Sequence, residues 1–346
     1  MKLIKRRPDF TISKNGISSV ETIEIGGINQ TILIQTENIQ NPILLVLHGG
    51  PSMPIPGVSN RGADYALFTC TKQLVKNFTL VYWDQRGTGR SFSKMIPKES
   101  LHLHQFVQDA SEVTDYLLDR FKMTKLHLLA HSWGTVIGLL LIQKYPEKYY
   151  SYVGFSQIVN WVENDKICYQ WLLKEARKAN NQKAINELTS VGIPPYLEGM
   201  EQWSILRKWL FKKNSMFYNA GDKGSPSFAK GANIMFRSPD YSLMDIYRTF
   251  VLGFKLSYSK EMLHDLNTFD FFTEIPKIEI PVLFIHGKRE KHVWPELIQR
   301  YYDQLDAPYK KLFWADKSSH AFHIDDARDN EKILLKYLPI LSNISS

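Results

Sequence analysis

A short apolar run that stops at glycines recurs along the chain and narrows what it can fold into. Ile43-Leu44-Leu45-Val46-Leu47 ends at His48-Gly49-Gly50-Pro51. Such a run is too short for a helix, and its unbroken hydrophobicity fits a strand buried on both faces of a largely parallel sheet. The same form returns at Thr79 to Trp83, Leu126 to Ala130, Tyr150 to Phe155, Pro281 to Ile285 and Lys311 to Trp314. Helical patterns lie between these runs. Apolar residues at Val107, Ala110, Val113, Leu117 and Phe121 mark one; Trp133 to Tyr145 follows a strand directly, and a last helix spans about 325–341. The alternation predicts an α/β class fold, a mostly parallel central sheet flanked by helices. Two alternating segments ahead of it, about 20–26 and 29–36, read as a hairpin about Gly26-Gly27.

One stretch breaks the alternation. From about 158 to 265 there are helical segments and Pro/Gly turns but no convincing buried strand, together with Trp161, Trp171, Trp203 and Trp209. The expected organisation is a first core part at 1–157, an inserted helical cap at 158–265 and a second core part at 266–346. Boundaries of this kind are common ligand sites.

Composition removes several function classes. The 346 residues carry 43 Lys plus Arg against 35 Asp plus Glu, a formal net charge of +8. The basic residues are dispersed, however, and the one dense cluster is Lys5-Arg6-Arg7, with no nucleic-acid motif beside it. No nucleic-acid partner is expected. Cys70 and Cys168 cannot make a disulfide scaffold. The opening MKLIKRRPDF has no apolar run behind it, and no stretch approaches the ~20 apolar residues of a membrane span. A soluble, cytoplasmic protein with no membrane partner is expected.

The sharpest chemical signal is Ala130-His131-Ser132-Trp133-Gly134, between a strand and a helix. It approximates G-x-S-x-G, the tight turn that exposes a nucleophilic serine, with Ala130 in place of the first glycine. A capping serine in an ordinary strand–helix turn looks the same over five residues, so the other positions decide. His48-Gly49-Gly50-Pro51 can aim a backbone N–H at a reacting carbonyl oxygen, with the N–H of Trp133 as its partner donor. A serine nucleophile needs a base, and the base an orienting acid, in the chain order serine, acid, histidine. His320 follows the last strand, with His323 as a lesser rival, and Glu290 is the single carboxylate in the loop His286-Gly287-Lys288-Arg289-Glu290. Ser132, Glu290 and His320 thus each follow a different predicted strand. Glu163, with Asp165 nearby, is a second place from which an acid could reach His320. Asp84 and Arg86 read as a structural pair, and His102 and His104 lack metal-ligand neighbours, so no metal and no cofactor are expected.

His48-Gly49-Gly50-Pro51, Tyr82-Trp83-Asp84-Gln85-Arg86-Gly87-Thr88-Gly89-Arg90-Ser91 and His131-Ser132-Trp133-Gly134 together resemble the proline iminopeptidases of the α/β-hydrolase superfamily. The resemblance covers roughly 20–157 and 275–342. It implies an α/β-hydrolase fold with an inserted helical cap, and a cytosolic, cofactor-free serine peptidase that removes an N-terminal residue from short peptides. Ser132, Glu290 and His320 would form its triad, with Gly50 and Trp133 as oxyanion donors. Three positions depart from the family: Ser52 stands for a glycine, Ala130 for a glycine and Glu290 for an aspartate. Family members hold the substrate amine with cap carboxylates, for which Glu198 and Glu201 are nominations only. Carboxylic-ester or small-amide hydrolysis on the same triad, and a binding protein with a degraded triad, are the alternatives. The preferred residue and the oligomeric state are not legible.

Overall fold

The computed structural model describes residues 5, 7–197, 200–219 and 221–344. Among these the strands are β1 (Ile17–Ile25), β2 (Ile28–Thr36), β3 (Ile43–Leu47), β4 (Thr79–Asp84), β5 (Leu126–His131), β6 (Tyr149–Phe155), β7 (Val282–Gly287) and β8 (Lys310–Ala315). They form one sheet in the order β1-β2-β4-β3-β5-β6-β7-β8. The β1–β2 and β2–β4 pairs are antiparallel, and all pairs from β4 to β8 are parallel. The hairpin forms about Gly26 and Gly27, whose φ angles of +54° and +73° suit the tight turn that glycine makes without strain.

The continuous apolar runs are explained by burial on both faces. Along β3, Ile43, Leu45 and Leu47 enter one apolar cluster and Leu44 and Val46 the other. The first cluster packs against the helices Leu103–Phe121 and Trp133–Lys144, the second against Leu334, Leu338 and Leu341 of the final helix Ile324–Ile344. The run at 311–314 is the exception: β8 closes the sheet as an edge strand and is largely half-exposed, Trp314 reaching 37%.

Between β6 and β7 the described residues form helices and loops and no strand, from Trp161–Lys178 to Phe271–Glu274. Register aligns the C-terminal ends of the central strands: Leu47 pairs with Ala130, His131 with Phe155, and Gly287 with Ala315. The loops that follow carry His48, Ser132, Ser156, Glu290 and His320 to one edge of the sheet, where open α/β folds place ligands.

Candidate active site

Small residues build the turn after β5. Ser132 has φ +53° and ψ −121°, a region that a residue with a side chain enters only when its surroundings hold it there. Its N–H donates to the Phe155 carbonyl at 3.0 Å. Gly134 lies against β3, where a Cβ would come 2.4 Å from the Leu47 oxygen, and a Cβ on Gly49 would stand 3.2 Å from that of Ser132. Ala130 fits the place of a glycine because it faces Gly138, whose own Cβ would lie 3.3 Å from the alanine methyl.

The loop after β3 completes this corner. Gly50 has φ +126° and Ser52 φ +68°, so the serine keeps the left-handed backbone that glycine favours. Its Oγ donates to the Thr249 carbonyl at 3.0 Å, which offsets part of that cost. The N–H groups of Gly50 and Trp133 have no acceptor among the described residues. Gln85 ties the two segments together. Its Nε2 donates to the His48 carbonyl at 3.0 Å, its N–H to His48 Nε2 at 3.1 Å, and its Oε1 accepts from Trp133 Nε1 at 3.0 Å.

Glu290 and His320 meet across the loops after β7 and β8. His320 Nδ1 donates to Glu290 Oε1. Val293 N–H donates to the same oxygen at 3.1 Å and Ser156 Oγ to Oε2 at 2.8 Å, while His286 Nε2 lies 3.2 Å from Oε2. Both partners are buried. Burial raises the Glu290 carboxyl to about 7, against lowering by His286, Ser156 and Val293. It holds the His320 imidazole down at about 3, with the charge of Arg207 adding to the effect, so the ring is neutral at neutral pH and able to accept a proton. The rings of His131 and His292, themselves kept neutral by burial, stand 4.8 and 4.7 Å from that of His320.

Ser132 and His320 line one cavity of about 430 Å³, whose wall includes Gly49, Gly50, Trp161, Trp203, Arg207 and Tyr258. Among the described residues no hydrogen bond joins Ser132 Oγ to His320, and the hydroxyl would have to close on the imidazole for proton transfer.

Other expectations are redistributed. Glu163 sits on the outside of helix Trp161–Lys178, paired with Arg300 at 2.6 and 2.9 Å, and does not reach His320. Asp165 pairs with Arg207 instead. Glu201 is exposed and absent from the described cavity wall; Glu198 lies outside the described residues. His323 opens the final helix between Asp222 and Asp325, each 3.6 Å away. Asp84 and Arg86 do not pair. Arg86 binds Asp109 through Nε and Nη2, both at 2.8 Å, whereas Asp84 accepts from Val58 N–H, Arg90 N–H and Tyr241 OH. His102 caps helix Leu103–Phe121, its Nδ1 accepting from Gln105 N–H. Among the described residues no group of His, Cys, Asp and Glu is placed to hold a metal ion, and no helix is long and apolar enough to cross a membrane.

Sequence reasoning passed over Ser156, His292 and Arg207. The first two had a signal, since one directly follows β6 and the other follows Glu290 by two positions. Arg207 had none, because its partner Asp165 is remote in sequence.

The alpha/beta hydrolase fold family matches residues 42–327. The chain is 31% identical over 315 residues to the probable aminopeptidase YbaC of Bacillus subtilis, covering 90% of this chain and 94% of that one. It is 24% identical over 311 residues to the proline iminopeptidase of Heyndrickxia coagulans, covering 87% and 92%. The crystal structure of a Mycobacterium smegmatis proline iminopeptidase superposes with a TM-score of 0.59 at 15% identity, over 94% of this chain and 99% of that one. A Bacillus megaterium epoxide hydrolase superposes with a TM-score of 0.55 at 18% identity, over 93% and 100%. At those identities the likeness is one of fold alone.

Proposed function

The chain belongs to the alpha/beta hydrolase family, and from that premise we propose that it is an aminopeptidase, the activity named in its relatives, working through a serine on short peptides. Ser132 attacks the carbonyl of the N-terminal residue while His320 takes the hydroxyl proton and then gives it to the leaving amine. Water repeats the cycle to release the acyl group. Glu290 holds His320 in the tautomer with a proton on Nδ1, and the N–H groups of Gly50 and Trp133 receive the oxyanion. The observation that carries the reading is the buried Glu290–His320 hydrogen bond on a cavity that Ser132 also lines.

In this reading residues 1–157 and 266–346 form the catalytic core, and 158–265 is a cap that covers the serine and excludes water. Trp161, Trp203, Arg207 and Tyr258 of that stretch in the cavity wall support it. The free, buried Cys70 and Cys168 suit a reducing cytoplasm.

One observation favours a second reading, hydrolysis of esters or small amides. No aspartate or glutamate is among the described residues of the cavity wall to hold a substrate ammonium. Prolyl, alanyl and leucyl arylamides, their N-blocked forms and short aryl esters separate the two. Cleavage of the free-amine arylamides alone is the expected result, and turnover restricted to esters would replace it with the second reading. No turnover, with no fluorophosphonate labelling of Ser132, would overturn both and leave a binding protein with a degraded triad.

A further inference from the structure

Arg207 keeps two separate donors free in the cavity wall. It stands on helix Met200–Lys212, one turn from Trp203. Its Nη2 donates to both oxygens of Asp165, at 2.8 and 2.7 Å. The guanidinium carbon lies 5.2 Å from the ring centroid of Trp161 and 5.0 Å from that of Trp203. Asp165 and the two indoles therefore fix the plane of the group. Its Nε and Nη1 donors have no acceptor among the described residues, and the buried Trp203 Nε1–H has none either. The other cation of the wall, Lys208, is engaged by Glu187. With no carboxylate among the described wall residues, the groups turned to this cavity beside Ser132 and His320 include the spare donors of Arg207 and Trp203, while the carboxylates that pair its two cations stand outside the wall.

From this juxtaposition we propose that Arg207 receives a carboxylate of the substrate, so that the substrate class is a short peptide or acyl compound with a free carboxylate near the carbonyl that Ser132 attacks. The proposal rests on the hydrolase reading above and narrows its substrate. With Nη2 held by Asp165, a carboxylate is met by a single donor, Nε–H or Nη1–H, and a hydrogen bond from a charged donor is stronger than one between neutral groups. Asp165, Trp161 and Trp203 are positioning residues. The carboxylate can come from the leaving side, as the C-terminus of a dipeptide, or from the acyl side, as an acidic side chain on the residue released.

The test compares alanyl-alanine with its C-terminal amide, and glutamyl with glutaminyl arylamide, in the wild type and in the double variant Asp165→Asn/Arg207→Gln. The double variant removes the buried pair together and strands no charge. The expected result is a kcat/KM ratio of acid to neutral form of about tenfold in one of the two comparisons. Which comparison shows it identifies the source of the carboxylate. In the variant the ratio falls to near one, through KM. Equal rates for acid and neutral forms in the wild type, or a ratio that survives in the variant, would overturn the proposal and leave the hydrolase reading intact. Calorimetric titration with glutarate against glutaramide reads the same preference without turnover. Binding of glutarate that the double variant loses, in a protein that neither turns over substrates nor labels at Ser132, would keep the carboxylate site and overturn the hydrolase reading.

Discussion

Glu290 reaches His320 with a side chain one methylene longer than the aspartate its family resemblance implies, and its surroundings accommodate the difference. Ser156, Val293 and His286 fasten the carboxyl around the extra length, so the departure from aspartate has a structural counterpart. The same burial makes the site sensitive to acid. The Glu290 carboxyl is raised to about 7 whereas His320 is held near 3. As pH falls through about 7, the first group to gain a proton is the carboxyl, which then no longer carries the negative charge that would stabilise a protonated His320 imidazole. We predict that kcat/KM declines below about pH 7. Glu290→Gln should lose activity by about 10³- to 10⁴-fold and abolish that acid limb. Glu163→Gln should leave rate and profile unchanged, because its carboxyl pairs with Arg300 on the outer face. A rate–pH series on the three proteins checks this, and an unaltered limb in Glu290→Gln would remove Glu290 from the acid's role.

At the scale of elements, the turn between β5 and helix Trp133–Lys144 depends on how closely the helix approaches β3. Gly134 has no room for a methyl, since a Cβ would sit 2.4 Å from the Leu47 carbonyl oxygen. Gly134→Ala must push the helix off the strand. A loss of about 1–3 kcal/mol is expected, read from denaturant unfolding, together with slower labelling of Ser132 as its turn shifts. Wild-type labelling in a destabilised variant would separate helix packing from the geometry of Ser132. This element was legible in the sequence: a buried run, small residues on either side of a serine and a helical pattern can meet only as a tight strand–helix turn. The edge position of β8 was not legible, because a run of apolar and aromatic residues looks alike whether one face or both are covered. Nor was the reason Ala130 is tolerated, which lies eight residues on in Gly138.

Across the whole molecule, the buried Arg86–Asp109 pair joins distant parts of the chain. Arg86 donates to Gly26 O at 2.8 Å and to Ser100 Oγ at 3.2 Å, and Asp109 also accepts from Gln30 and Gln105. Hairpin, sheet and helix thus converge on one ion pair. Asp109→Ala would leave the Arg86 charge buried with only neutral partners, and a loss of about 3–5 kcal/mol is expected. A falling denaturation midpoint checks it, and a loss under 1 kcal/mol would show that the network is not what binds these parts. Periodicity and glycine placement were enough for the strand–helix order and the serine turn, because these depend on residues adjacent in the chain. Folding alone decided that Arg86 turns to Asp109 and not Asp84, that Glu163 faces outward, and that Asp165 with two tryptophans holds Arg207 over the cavity. Those outcomes depend on which side chains desolvate together, and burial pairs charges by proximity in space, which no local pattern records.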